Sequence, residues 1–407
     1  MKRFLKSKIL IIAVLGIFVL YLSNDFSLID IKETALVVAL GIDKVEDGVE
    51  VCAQLAVPKA QEQAAGTSGA TISAKGDTVA RAIENIGTRT GWYPKLSFCN
   101  VVVLGKSVTE GDVMERIDYF IRTIKLQDSA EICVAENTAK EILTASSPLD
   151  ALSSFSLSKI LQKDAESSST VTITSMREFA MGYYSKSKFS KLPIVKIIKT
   201  EGDSGQTNAS PTASKGALIP SLLSAESEGQ KKQNKQIFDA TTTLLFSSGR
   251  PCCTLDKNGT LILNLLSHSV SEAAIEISNT ELNGKTANLL VSLRQNFGSV
   301  RLRMDGGTPV LRVRLRVAAK IDDTDVTGPP DELVSSYVVP QNVLRDAEQK
   351  LATLVVDAFE KSRESGCDVF EIEDKLYRTA NKYYPALKGR ALSEARLDVK
   401  ISVKSFK

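Results

Sequence analysis

Residues 300–317 read VRLRMDGGTPVLRVRLRV, and the alternation in this stretch decides the fold class. Two strand-like runs, Val300 to Met304 and Val310 to Val317, flank Asp305-Gly306-Gly307-Thr308-Pro309, a five-residue loop of turn formers. Successive side chains of a strand point to opposite faces. Leu311, Val313, Leu315 and Val317 therefore share one face, and Arg312, Arg314 and Arg316 share the other. Arg301 and Arg303 alternate likewise on the first strand. A sheet with one apolar and one charged side is half wet, as antiparallel sheets commonly are. Arg301, Arg303, Arg312, Arg314 and Arg316 form a candidate interaction stripe for anionic headgroups or an acidic partner. An ordinary solvated sheet face is the alternative reading.

Working outward, Leu289 to Leu293 adds a third strand-like run. Pro340 precedes a long helix with Leu344, Ala347, Leu351, Leu354, Val355 and Ala358 at spacings of three and four, closed by Gly366. A second helix is expected from Glu371 to Tyr383, before Pro385. Leu397, Val399, Ile401 and Val403 alternate as a last strand. Residues 281–407 thus read as an α+β domain, an antiparallel sheet carrying a long amphipathic helix.

Upstream, strands and helices interleave without a repeat, which predicts an N-terminal α+β domain over 26–200. Ala35 to Ile42 and Val49 to Val57 make a hairpin across Asp43 to Asp47. Gln61 to Gly69 reads as a loop. A helix follows from Asp77 to Thr88, ended by Gly87, and a strand from Leu96 to Leu104. Thr109 opens a helix with Val113, Ile117, Phe120, Ile121 and Ile124 on one stripe, and Ala130 to Ala135 is a short strand before a helix opened by Thr138. Residues 201–236 have linker composition (EGDSGQTNASPTASK and SAESEGQKKQNKQ). Residues 237–280 form a small middle domain, with a strand at Thr241 to Phe246, a turn at Asn258-Gly259, an apolar run at Leu261 to Leu266 and alternation over Ala273 to Ile277.

The chain has 407 residues, too many for one compact core. Of its 51 Lys and Arg, four (Lys2, Arg3, Lys6, Lys8) fall in the first eight residues, so the rest faces 48 acids with a net of −1. A near-neutral body gives no bulk electrostatic reason to bind nucleic acid. After the basic cluster, Ile9 to Leu22 (ILIIAVLGIFVLYL) has no charged residue. At helical rise this covers about 21 Å, and Phe4 to Ser23 covers about 30 Å, a bilayer core, if Lys6 and Lys8 snorkel. Tyr21-Leu22-Ser23-Asn24-Asp25 lacks the small residues of a signal cleavage site. An uncleaved anchor over 1–25 is therefore expected, with Ile9, Ile11, Ile12, Val14, Leu15, Ile17, Phe18, Val19, Leu20 and Leu22 in the membrane and the body outside. A cleaved secretory signal is the alternative, and it exports the same body.

Motifs for chemistry are scarce. The single histidine, His268, excludes any site that needs two imidazoles. No nucleophile elbow, zinc-protease, Walker or dinucleotide fingerprint occurs. Six cysteines, with no C-x-x-C, read as buried small hydrophobes, with Cys252-Cys253 adjacent. Asp322, Asp323 and Asp325 read as a solvated turn rather than a cation site. Ser156-Leu157-Ser158-Lys159 matches the S-x-x-K of penicillin-binding enzymes, but the companion S-D-N and K-T-G are absent. An exported serine-type cell-wall enzyme using Ser156 and Lys159 is thus one rival reading, and an extracytoplasmic solute-binding protein is another.

Ala39-Leu40-Gly41-Ile42-Asp43, followed by Asp47-Gly48, resembles the start of the Ger(x)C family, the C subunits of spore germinant receptors. The resemblance continues through Arg89-Thr90-Gly91, Phe98 to Gly105, Ala139-Lys140-Glu141-Ile142-Leu143, Leu244-Leu245-Phe246, the arginine hairpin and Cys367-Asp368-Val369-Phe370. It implies a non-enzymatic subunit of three mixed α/β domains, without cofactor or metal, on the extracytoplasmic face of the inner spore membrane. Its implied partners are the receptor's integral-membrane A and B subunits, with the nutrient germinant met either directly or only through them. Two features depart from the family. Leu22-Ser23-Asn24-Asp25 stands where a lipobox cysteine is usual, so a retained helix would replace the lipid. The family's C-terminal tryptophans are missing too, Trp92 being the only one.

Overall fold

The computed structural model describes residues 12–18, 34–58, 67–123, 126–145, 147, 150, 152–162, 169–199, 236–267, 270, 272–282, 284–325 and 338–406. Its first half has strands β1 (Thr34–Val45), β2 (Gly48–Pro58) and β3 (Thr67–Gly76), then helix α1 (Val79–Thr90), β4 (Tyr93–Lys95) and β5 (Val101–Leu104). There follow α2 (Val113–Thr123), β6 (Glu131–Ala135), α3 (Ala139–Thr144), α4 (Ser153–Ile160), α5 (Met176–Tyr184), β7 (Phe189–Lys199), β8 (Gln236–Ser247) and β9 (Arg250–Leu255). These strands form one nine-stranded sheet in the order β3-β2-β1-β5-β6-β7-β8-β9, with β4 also beside β1. The second half has α6 (Lys257–Leu266), β10 (Glu272–Leu282), β11 (Lys285–Asp305), β12 (Thr308–Thr324), α7 (Gln341–Ser365), α8 (Ile372–Thr379) and β13 (Arg396–Ser405). Its sheet has four strands, β10-β11-β12-β13.

Neither sheet is wholly antiparallel. β1, β5, β6 and β7 run parallel at the centre of the first sheet, and β13 runs parallel to β12 in the second. A parallel centre must be covered on both faces, and Val101, Val102, Val103 and Leu104 of β5 are all buried. One apolar cluster lies on each side. Ile83, Ile86, Ile117 and Phe120 pack on the first face, and Ile142, Leu143 and Leu157 on the other. Buried Gln54 ties the second layer together: its Nε2 donates to the Leu143 carbonyl at 2.8 Å, and its Oε1 accepts from the Ser154 N–H at 2.9 Å.

The polar stretch 201–236 joins β7 to β8, antiparallel neighbours in this sheet. A division of the chain there must cut paired strands. The expected middle domain over 237–280 likewise does not stand apart: among the described residues its strands belong to the two sheets. β8 and β9 extend the first sheet and β10 opens the second. An insertion between paired strands and a linker between domains share one composition, which is why sequence did not separate them. The largest core cluster runs from Phe189, Leu245 and Leu255 through α6 into Leu311, Val313 and Leu315.

Other expectations shift locally. Asn258-Gly259 is not a turn: Asp256 accepts from the Gly259 N–H at 2.9 Å and caps α6, whose apolar run is helical. α1 starts two residues after Asp77, capped by Thr78, and ends at left-handed Gly91 rather than Gly87. The stretch Leu96 to Leu104 is a strand only from Val101. Leu289 to Leu293 is not a separate strand but part of the 21-residue β11. The hairpin loop tightens to Gly306 and Gly307, because both take positive φ (55° and 90°) as a two-residue turn requires. α7 matches its spacing and buries Leu344, Ala347, Leu351, Val355 and Ala358 against the second sheet. Burial of each large side chain contributes about 1.5–3 kcal/mol.

Residues 12–18 are helical, with Ile12, Val14, Leu15, Ile17 and Phe18 all exposed. Ile9, Ile11, Val19, Leu20 and Leu22, expected in the same anchor, lie outside the described residues, as does His268. Among the described residues no helix is long and apolar enough to cross a membrane.

Candidate functional site

The structure brings all five candidate arginines to one face. β11 and β12 pair so that Arg301 lies directly opposite Arg312, Arg303 opposite Val310 and Ser299 opposite Arg314. The buried partners Leu302, Leu311, Val313 and Leu315 point to the other side, toward α7. β13 extends the face through the pairs Arg312–Asp398, Arg314–Lys400 and Arg316–Ser402. Sequence reasoning missed Arg396, Lys400 and Lys404, which are exposed there. Their signal was the strand's own alternation with Leu397, Val399, Ile401 and Val403. Phe297, paired with Arg316, is 67% exposed on the same side.

Charge on this face is poorly balanced. Arg312 Nε donates to Asp398 Oδ2 at 2.8 Å. Arg301, Arg303, Arg314, Arg316, Lys400 and Lys404 have no carboxylate partner among the described residues. Like charges placed directly opposite in a sheet are destabilising, so the Arg301–Arg312 pair costs fold stability. The arrangement suits electrostatic docking of an anionic surface.

Ser156 and Lys159 do approach each other, but through a third group. The Ser156 hydroxyl donates to Asp150 Oδ2 at 2.6 Å, and Lys159 Nζ donates to Asp150 Oδ1 at 2.7 Å. Lys159 and Ser156 together hold the Asp150 carboxyl below its ordinary range. Ser156 and Lys159 are thus each engaged by Asp150 rather than bonded to each other as a nucleophile and its base would be. Asp325 accepts from the Asn288 N–H and side-chain amide, at 2.8 and 2.6 Å, and Asp322 pairs with Lys320 at 3.5 Å. No group of residues that would hold a metal occurs among the described residues.

The short motifs have structural explanations. Asp43 is 6% exposed at the end of β1 and caps α3: the Ala139 N–H donates to Oδ1 at 2.8 Å and the Lys140 N–H to Oδ2 at 3.0 Å. Burial pushes its carboxyl up, against the pull of those two bonds. Gly41 lets the same helix approach, since a Cβ there would lie 3.0 Å from that of Ala139. Asp368 repeats the device in the second half, accepting from the Ile372 and Glu373 N–H groups at 2.8 Å each. Desolvation pushes its carboxyl up as well.

Comparison with known proteins also gives two matched regions, but they divide the chain between the paired strands β7 and β8 rather than between the two sheets. The family described as "Spore germination protein N-terminal domain" matches residues 28–197. The family described as "Spore germination B3/ GerAC like, C-terminal" matches residues 242–405. The chain belongs to the GerAC-like spore germination family. Its fold is similar to that of a solved structure described as "Crystal Structure of the GerBC protein", at TM-score 0.51 and 14% identity, over 90% of this chain and 96% of that one. At that identity the likeness concerns the fold alone. No curated protein matches the chain. In this GerAC-like chain the gap between the two matched regions spans the β7–β8 connection and the adjoining ends of those two strands.

Proposed function

We propose that this GerAC-like chain is the membrane-held C subunit of a spore germinant receptor. It is a non-catalytic body that docks with the receptor's integral-membrane A and B subunits on the outer side of the inner spore membrane. The family matches over both halves support the receptor reading. The observation that carries the docking role is the unbalanced basic face around Arg301, Arg312 and Arg314, which fits an acidic surface on a membrane partner. The helix at 12–18 supports tethering: apolar and exposed on every side, it lacks the polar face a surface helix would show.

Co-purification from spore membranes tests the reading. Arg312→Glu with Arg314→Glu should reduce recovery of the multi-span partners and delay the response to nutrient. Unchanged recovery would make the stripe an ordinary wet sheet face, and loss of vesicle binding alone would point to anionic lipid instead. The serine-enzyme and solute-binding readings have no comparable geometric support.

A further inference from the structure

Cys252 and Cys367 are distant in sequence and meet between the two sheets. β9 is bulged: Leu245 pairs with Cys253 and Phe246 with Pro251, which leaves Cys252 as the extra residue. Cys367 directly follows Gly366, the left-handed residue that closes α7. Its thiol donates to the carbonyl oxygen of Phe246, the residue at the bulge, at 3.5 Å. Cys252, the bulge residue opposite Phe246, lies beside it, near enough for each thiol to shift the other's pKa. Both side chains pack on the core cluster shared by β9, α6 and the second sheet. Both are free thiols in this structure.

The two sulfurs differ in the way a dithiol pair needs. Cys252 is half-buried, and the thiol of Cys367 beside it holds its pKa below the ordinary range. Cys367 is buried, and the contact with Cys252, with desolvation, pushes its pKa up. Cys52 and Cys133 are buried in β2 and β6, and Cys99 is buried just ahead of β5; burial pushes all three thiols up, those of Cys52 and Cys99 to about 12. They are therefore poor competitors for an oxidant.

We propose that Cys252 and Cys367 are a redox pair that closes as a disulfide when the body meets a small disulfide oxidant. The bond staples the last strand of the first sheet to the turn that follows α7. Closure is ordinary thiol–disulfide exchange. The Cys252 thiolate attacks one sulfur of the oxidant, the oxidant's S–S bond breaks, and one thiolate leaves. Cys367 then gives up its proton and attacks the Cys252 sulfur, releasing the second thiol. The protein loses two electrons and two protons, and the oxidant becomes two thiols. Occurrence of the bond in the cell rests on the outside placement proposed above, whereas the pairing itself does not.

The full-length chain, purified reduced in detergent, would be exposed to oxidised glutathione, blocked with N-ethylmaleimide and mapped by peptide mass. The expected product joins the Cys252 and Cys367 peptides, while Cys52, Cys99 and Cys133 are alkylated only after unfolding. Cys253→Ser should keep the bond. Cys367→Ser should lose it and leave Cys252 carrying glutathione, and Cys252→Ser provides a second, less buried loss variant. A Cys252–Cys253 bond in the wild-type chain, or glutathione on Cys252 with Cys367 alkylated, would overturn the proposal. The same map on chain trapped at cell lysis separates the two ideas. Closure by glutathione with free thiols in the cell supports the pairing and counts against the outside placement.

Discussion

Gly105 leaves open the space that the Asp43 carboxylate occupies: a Cβ at position 105 would lie 1.9 Å from Asp43 Oδ1. Gly105 has an ordinary φ of −66°, so the requirement is steric and not conformational. Gly105→Ala should force the carboxylate off the N-terminus of α3 and cost about 1–3 kcal/mol as overpacking. Asp43→Ala, which leaves two backbone donors bare, should cost about 1–3 kcal/mol. The double variant should cost clearly less than the two singles summed, because the clash disappears with the carboxylate. Urea denaturation of the four proteins measures this, and strict additivity would show that the two residues act separately.

Asp150 carries the second expectation. Its side chain is 12% exposed and bonded to both Lys159 and Ser156. Its folded pKa lies below the ordinary 3.8. The stabilisation is therefore complete above 3.8 and is lost as pH falls through the lower folded value. Asp150→Asn should be less stable than wild type near neutrality by about 0.5–1.5 kcal/mol, and the gap should close in acid. Stability measured across pH checks the slope. A fluorophosphonate should leave Ser156 unlabelled, and an adduct lost in Ser156→Ala would restore the hydrolase reading.

The second sheet was legible because its alternation is strict from Val310 to Val317, and one buried face imposes one register. Strand direction was not legible: Leu397 to Val403 alternates identically whether β13 runs parallel or antiparallel to β12. β3 (TSGATISAKG) escaped notice because small polar residues suffice there. Gly69 lies beneath Leu152, whose Cδ2 would be 1.6 Å from a Cβ at that position. The continuous runs Ala35 to Ile42 and Leu96 to Leu104 were legible as strands, but the parallel pairing of β1 with β5 was not, although unbroken apolar runs suit strands covered on both faces. The meeting of Cys252 and Cys367 left no trace in sequence, since neither spacing nor flanking residues encode a contact made by tertiary packing.

The pairing of Arg301 with Arg312 allows structure and docking to be separated. Arg301→Glu places opposite charges across the β11–β12 pair and should raise fold stability by about 0.2–1 kcal/mol. The same change should lower co-purification of the membrane partners. A thermal melt and a pull-down on one preparation give both readings. If the two fall together, Arg301 is a structural residue and the docking role fails.

The tether gives the last expectation. Leu15 lies on the helical segment 12–18, 63% exposed, with apolar neighbours on all sides. An arginine near the centre of a membrane helix costs about 2.5–3.5 kcal/mol in insertion experiments, and each 1.4 kcal/mol is a factor of ten. Leu15→Arg in the full-length chain should therefore shift the partition from carbonate-resistant membrane toward the soluble fraction by roughly a hundredfold. Leu15→Ala should shift it little, since one shortened apolar side chain leaves the run intact. The body should fold normally in both, because the segment packs against none of the core clusters. If Leu15→Arg stays in the membrane pellet as firmly as wild type in cells lacking the A and B subunits, attachment does not depend on this helix and the tether must be sought elsewhere.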